Sequence, residues 1–372
     1  MPYIWKQKKW PHFKWQSQRL VNSLSRARFL QGRLLSKIDS LGLEFSRESR
    51  FEILTEETIK TAAIEGLRLD KEAVRSSVAR RLGLPTAGLK KPDRNTEGLV
   101  DVILDATMNY RKPLTIKRLK SWQAALFPTG YSGLIKIHVG QWRPDTKMQV
   151  VSGAIGREKV HFEAPPADKV NSEMRKFITW SEKESKDIDG LLRTAIAHFY
   201  FVTIHPFEDG NGRIARALSD MALAQDENLS KRYYSLSARI MTERKDYYDI
   251  LEKSQKSTLD ITEWLLWFLG CYMRAIKDSE CVISKILQKA MFWQKHAQTI
   301  LNKNQQKIIN RLLDAGLDGF VGGLTTRKYV AIVKVSRATA YRDITDLLRK
   351  KILIRRKPKG RSVSYQLIYS KG

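Results

Sequence analysis

Cysteine is nearly absent: Cys271 and Cys281 are the only two among 372 residues. No metal-ligand spacing surrounds them, which suits packed, reduced thiols in a reducing compartment rather than a disulfide framework. Long apolar runs are missing too. The longest, "WLLWFLGCYM" at 264–273, is too short to cross a bilayer, so no membrane partner is expected. The basic, aromatic start "MPYIWKQKKWPHFKW" contains no continuous apolar segment and does not read as a secretory signal, so the expected location is the cytoplasm. No GxxxxGK[ST] phosphate loop, internal repeat or low-complexity tract occurs.

Negative charge is scarce: 39 Asp and Glu stand against 67 Lys and Arg, a net charge of +28. The excess is uneven. Residues 1–50 contribute +8 and residues 301–372 contribute +13, leaving +7 for the 250 residues between them. The basic character therefore belongs to the flanks: residues 1–50 read equally as a solvated surface and as an anion-binding module, and the C-terminal module equally as a DNA-binding and as a protein-docking one. The length supports two or three domains, expected here as an N-terminal helical region (1–85), a central core (86–300) and a C-terminal module (301–372).

The periodicity is mostly helical. Leu20, Leu24, Ala27, Leu34, Ile38 and Leu41 mark one amphipathic helix stopped by Gly42. A second helix spans about 55–66, with Thr55 as N-cap, Glu56 and Glu57 in its first turn and Gly66 as its stop. Further helices are expected near 71–82, 96–110, 115–127, 167–183, 191–204, 240–256 and 260–300. Alternating runs around a glycine-rich centre predict a β-hairpin at 148–163. From about residue 304, three helices precede two strands, the third helix capped by Ser336, with the basic turn "KPKGR" between the strands. That order predicts a winged helix-turn-helix. The expected fold class is mostly α: a helical-bundle core with a β-hairpin, plus this winged module.

One stretch concentrates chemistry: "IHPFEDGNGRIARAL", residues 204–218. "DGNGR" leading into a helix gathers unpaired backbone N–H groups at a helix N-terminus, which favours phosphate. Gly210 and Gly212 let the backbone bend and approach a ligand. Asn211 adds an amide, and Arg213 and Arg216 add bidentate guanidinium contacts. Asp209 beside this cradle is the natural ligand for the Mg²⁺ that accompanies a polyphosphate. His205, four residues earlier, can take a proton from an attacking hydroxyl near neutral pH. The set suits phosphoryl or nucleotidyl transfer to an alcohol. Phe207 reads as an apolar anchor for the loop.

This run resembles the H-P-F-x-[DE]-G-N-G-R-x-x-R signature of the Fic family and matches all its fixed positions. Weaker likenesses lie in "GQWR" at 140–143, the hairpin, and "RKDYYDILEKSQ" at 244–255. The resemblance implies a Fic helical core and transfer of AMP from ATP to a Ser, Thr or Tyr hydroxyl of a target protein, releasing pyrophosphate. By position, His205 is then the base, Asp209 holds Mg²⁺, and Asn211, Gly210, Gly212, Arg213 and Arg216 bind phosphates. The hairpin is the flap that aligns the target, and Tyr247 and Tyr248 lie near adenine. A phosphorylating branch has lysine at the place of Gly212, so AMP transfer is favoured.

Thr61, Glu65 and Gly66 in "TIKTAAIEGLR" are spaced [ST]-x-x-x-E-[GN], which resembles the inhibitory motif of Fic proteins, here in the class with the inhibitory helix before the core. Thr61 and Glu65 share one helix face, and a carboxylate there can pair with Arg216. In some relatives the same glutamate supports removal of AMP. The partners this leaves open are a target protein, the chain itself by automodification, and a second copy of the chain. DNA is a further one, through Arg337, Thr339, Tyr341 and Arg342 of the third terminal helix and Arg355, Arg356 and Lys357 of the wing. A DNA-binding regulator in which the Fic core is secondary is the competing reading.

Overall fold

The computed structural model describes residues 3–39, 43–85, 90–144, 147–152, 159–315, 320–356 and 363–368. In chain order the helices are α1 (Ser17–Asp39), α2 (Leu43–Ile64), α3 (Lys71–Arg81), α4 (Arg94–Met108), α5 (Ile116–Leu126), α6 (Ala167–Thr179), α7 (Gly190–Ile204), α8 (Asn211–Glu227), α9 (Leu236–Thr242), α10 (Arg244–Gln255), α11 (Thr262–Lys295), α12 (Lys303–Asp314), α13 (Thr326–Val333) and α14 (Arg337–Arg349). Three antiparallel pairs accompany them: β1 (Tyr131–Ser132) with β2 (Ile135–Lys136), β3 (Gln149–Ser152) with β4 (Lys159–Glu163), and β5 (Leu353–Arg355) with β6 (Tyr365–Leu367). The chain divides into two compact units, residues 1–40 with 50–279 and residues 41–49 with 280–372.

The larger unit is built around α7, whose "LLRTAIAHFYFVTI" is apolar on nearly all sides and almost wholly buried, as a helix surrounded by others must be. Asp189 caps it, accepting from the Leu191 N–H at 2.9 Å. α8 packs along α7 and α4, and α4 lies so close to α5 that a Cβ on Gly98 would come within 1.8 Å of the Ala125 carbonyl oxygen. The aromatic N-terminal stretch belongs to this core: Trp10 and Phe13 meet the buried Tyr200 edge-on at 5.2 and 5.5 Å. Lys8 and Lys9 stay exposed.

Several expectations need correction. α2 begins at Leu43, so Thr55 is an interior residue whose hydroxyl donates to the Phe51 carbonyl rather than capping a helix. The span 240–256 is two helices, with a break at Glu243. α6 runs on into a π-helical turn at Trp180–Glu184, closed by Ser185 N–H to the Trp180 carbonyl. The β1–β2 pair was not anticipated. Cys271 is buried as expected, but Cys281 is exposed. Leu41 and Gly42 lie outside the described residues, as do 153–158 at the centre of the expected flap and the turn residues 357–360.

In the smaller unit, α12, α13 and α14 close on a core that includes Ile308, Leu312, Tyr329, Ile344 and Leu347. β5 and β6 follow, and Leu324 bridges Tyr365 from the other side of β6. Asn302 and Gln305 form a reciprocal cap on α12, and Ser336 caps α14 through the Thr339 N–H at 3.1 Å. Among the described residues, no helix is long and apolar enough to cross a membrane.

Candidate active site

α7 ends by turning sharply. His205 adopts the left-handed conformation, φ 51° and ψ 59°, unusual for a residue other than glycine. Its N–H still reaches back to the Phe201 carbonyl at 3.0 Å. Phe207, fully buried, pins the following loop against Trp142, ring centroids 4.9 Å apart, as the anchor reading anticipated. Asn211 then closes the loop on itself. Its Oδ1 accepts the Phe207 N–H at 3.0 Å, and its Nδ2 donates to the Phe207 carbonyl at 2.7 Å. The carboxamide expected at a phosphate thereby also holds the loop. Gly210, at φ 90°, precedes α8; a Cβ there would also meet Phe127 at 3.0 Å.

The first turns of α8 carry Arg213 and Arg216, 6% and 2% exposed. Arg213 lies over the Phe127 ring at 4.8 Å and reaches Asp209 at 3.4 Å. Burial is the main cause that lowers its pKa, with Asp209 acting against it. Arg216 points to α2. Its Nε donates to Thr61 Oγ1 at 2.7 Å, and its Nη2 donates to the Thr61 carbonyl at 2.9 Å and to Glu65 Oε1 at 2.7 Å. Burial opposes the Arg216 charge, but the Glu65 carboxylate together with Tyr247 and Tyr248 raises the pKa. Arg213 Nε and Arg216 Nη1 are buried and, among the described residues, have no hydrogen-bond partner. Such orphaned guanidinium donors ask for an anion.

Glu65 also lies against the start of α8: a Cβ on Gly212 would come within 2.2 Å of Glu65 Oε1. Its carboxylate thus occupies the anion-favouring end of a helix, beside a cationic side chain. Gly66, at φ 79°, ends α2, and Arg244 Nε fixes the Ile64 carbonyl at 2.8 Å. Two turns earlier Glu57, 4% exposed, accepts from the Ser235 hydroxyl at 2.7 Å, the Ser237 N–H at 3.1 Å and the Ser237 hydroxyl.

Asp209 accepts from the Ser132 hydroxyl and the Gly210 N–H, with its side chain still 40% exposed. The neighbouring Glu208 is engaged by His138, through its N–H at 2.6 Å and its ring at 3.0 Å. His205 is partly exposed. Burial of the ring nevertheless pushes its imidazole down to about 4, with Arg143 adding to the effect and Val202, Glu65 and Asp209 opposing it. Its Nδ1 faces the Val202 carbonyl at 3.3 Å, which leaves Nε2 as the free acceptor.

Tyr247 and Tyr248 stand close enough to Glu65 and Arg216 to interact electrostatically with both. Tyr247 is buried, its hydroxyl paired with His198 Nε2 at 2.8 Å, while Tyr248 is half-buried under Arg244 at 5.0 Å. The β3–β4 pair has Gln149 opposite Glu163, and its root is held by Trp5, whose indole N–H donates to the Glu163 carbonyl at 2.7 Å. Sequence reasoning missed Arg143, Phe127, Ser132 and Glu57. Only Arg143 left a signal, inside "GQWR".

The residues expected at DNA belong to the smaller unit, not to this site. Arg337, Tyr341 and Arg342 are exposed on α14, Arg355 is exposed and Arg356 half-buried. The Thr339 N–H and hydroxyl both meet Ser336, and Lys357 lies outside the described residues.

Residues 113–223 match the Fic/DOC family, and residues 3–84 match DUF4172, a domain of unknown function. Over 104 residues the chain is 30% identical to a probable protein adenylyltransferase of Aquifex aeolicus, covering 28% of this chain and 30% of that protein. It is also 30% identical over 114 residues to the protein adenylyltransferase Fic of Nematostella vectensis, covering 30% of this chain and 25% of the relative. The chain thus spans less than a third of the length of these relatives. Among solved structures, a Fic family protein from Desulfovibrio desulfuricans G20 is similar over 95% of this chain and 96% of its own, with TM-score 0.53 and 21% identity. A Fic domain containing signaling protein from Bacteroides thetaiotaomicron is similar over 70% and 97%, with TM-score 0.52 and 18% identity. These two show the fold.

Proposed function

We propose that this chain, whose residues 113–223 form a Fic/DOC domain, is an autoinhibited protein adenylyltransferase. It transfers AMP from ATP to a Ser, Thr or Tyr hydroxyl of a target protein or of itself. The observation that carries the reading is the pair of orphaned, buried arginine donors at the N-terminus of α8, one loop away from a histidine with a free Nε2. In the reaction the target hydroxyl oxygen bonds to the α-phosphorus, the bond to the pyrophosphate oxygen breaks, and the hydroxyl proton passes to His205 Nε2. Arg213, Arg216 and the α8 amides hold the phosphates, with Gly210 and Gly212 keeping the approach open. Asn211 serves by keeping the loop closed. The part-exposed Asp209 carboxylate suits Mg²⁺, which takes one or two carboxylates and keeps its waters. When bound, that ion compensates charge on the departing pyrophosphate. Tyr248 is the better placed of the two tyrosines to meet adenine, since Tyr247 is buried and engaged.

Thr61, Glu65 and Gly66 form the brake. While Glu65 holds Arg216, the γ-phosphate cannot use the same donors, and ATP is kept from the pose that presents its α-phosphate to His205. The same glutamate is placed to orient a water for AMP removal. The test is label transfer from α-labelled ATP by the full chain, compared with His205→Ala; equal labelling by the two would remove the assignment.

A second reading concerns the smaller unit, taken as a winged helix that binds DNA. Arg337 and Arg342 make no ion pair among the described residues and flank Tyr341 on the exposed side of α14. The acidic residues of that helix are occupied elsewhere: Asp343 with Tyr329 and Asn302, Asp346 with Gln305, Arg349 and Lys350. A face so cleared of negative charge suits a phosphate backbone. The proposed division is a helical region to 85, a Fic core from 86 to 300 and the winged module beyond. A cytoplasmic location and a homodimer complete the proposal.

A further inference from the structure

We propose that Arg143 is a positioning residue for the histidine base: its guanidinium fastens the turn that carries His205 to the root of the β3–β4 flap. The inference rests on reading His205 as the base.

Arg143 is 3% exposed and binds carbonyl groups from two distant segments. Its backbone N–H donates to Pro206 O at 3.0 Å and its Nε to His205 O at 2.8 Å, while Nη2 donates to Pro165 O. Pro165 lies two residues beyond the end of β4. One planar fork therefore joins the backbone of the base to the end of the strand expected to present a target. Burying a cation among carbonyls is unfavourable, as the lowering of the Arg143 pKa by burial records. A lysine offers a point charge and cannot span both segments with fixed geometry, so the residue type is matched to the clamp. The clamp is needed because a non-glycine residue resists the left-handed backbone seen at His205.

The position has an electrical consequence as well. The guanidinium opposes protonation of the imidazole, in the same direction as burial; Glu65 from α2 and Asp209 from the loop act the other way. A neutral side chain at 143 should leave His205 easier to protonate and less well aimed.

The test uses the full chain with isotopically labelled histidine in wild type, Arg143→Gln and Arg143→Lys, with His205→Ala to assign the signal. NMR titration reads the midpoint of the His205 imidazole. Pyrophosphate release in a Glu65→Gly background reads kcat and KM for ATP. In Arg143→Gln the midpoint should rise by about one pH unit, and kcat should fall ~10-fold or more while KM for ATP holds within about twofold. Arg143→Lys should keep the midpoint, because the charge remains, but not restore kcat, because the fork is lost. An unmoved midpoint in Arg143→Gln, with kcat unchanged or falling only with the folded fraction, overturns the proposal. If Arg143→Gln does not fold, Arg143→Lys decides, and full kcat in that variant overturns it. Should the Glu65→Gly protein release no pyrophosphate, the adenylyltransferase reading fails, while the titration still judges the clamp.

Discussion

His205 combines a backbone that costs strain with a ring whose neutral form is favoured, and both properties suit a base that must be unprotonated and aimed. His205→Ala should cut AMP transfer by ~10²–10⁴-fold, the usual contribution of a positioned general base. Labelled-ATP assays with circular dichroism as a folding control would check it. Two buried or half-buried histidines should contribute to the acid stability. His198, wedged between Ser219 and Tyr247, is pushed down to about 3 by burial, and His205 to about 4. Both lie below the ordinary value, so the stability they contribute is present above about pH 6.5 and is lost as pH falls towards 4 and 3. Thermal melts of His198→Asn should lose less Tm than wild type over that window; parallel curves would contradict the assignment. At this scale the motif 205–216 was legible because each residue type carries its own chemistry. A sequence cannot show that the Asn211 carboxamide also closes the loop on Phe207. Ser132 was silent and Arg143 showed only inside "GQWR", because their roles exist only once distant segments meet.

The element that carries the proposed brake is α2. It brings Thr61 and Glu65 to Arg216 on one face and is moored two turns earlier by buried Glu57. Loss of the Glu65 contact in Glu65→Gly should raise transfer by about 10–100-fold, the factor equivalent to ~1.5–3 kcal/mol for a hydrogen bond to a charged group. Arg216→Ala should not reproduce the gain, since it also removes a phosphate ligand. Glu57→Ala leaves the Ser235 and Ser237 donors without their acceptor, and should cost about 1–3 kcal/mol of stability while partly releasing the brake. Denaturant melts and labelling rates of that variant test both halves, and an unchanged rate would show that the lower part of α2 does not register Glu65. The helical periodicity and the glycine stop were legible; the start of α2 was not, because Thr55 sits mid-helix, bonded back to Phe51, and looks like a cap in sequence.

The whole molecule joins a unit whose residues 113–223 match the Fic/DOC family to a smaller terminal unit, and the basic excess of residues 301–372 was the sequence-level sign of that division. If the smaller unit binds DNA, log affinity should fall with log salt by ~0.9 per phosphate neutralised, and Arg337→Ala with Arg342→Ala should flatten the slope. Retention that ignores salt, or none at low salt, would contradict the winged-helix reading of that surface. The AMP-transfer activity should survive the same substitutions. The most direct test of the central claim is made on the full chain: incorporation of label from α-labelled ATP by wild type, Glu65→Gly, and Glu65→Gly combined with His205→Ala. The account predicts weak labelling, strong labelling and almost none, in that order. Labelling by Glu65→Gly no faster than wild type, or undiminished by the added His205→Ala, would contradict it.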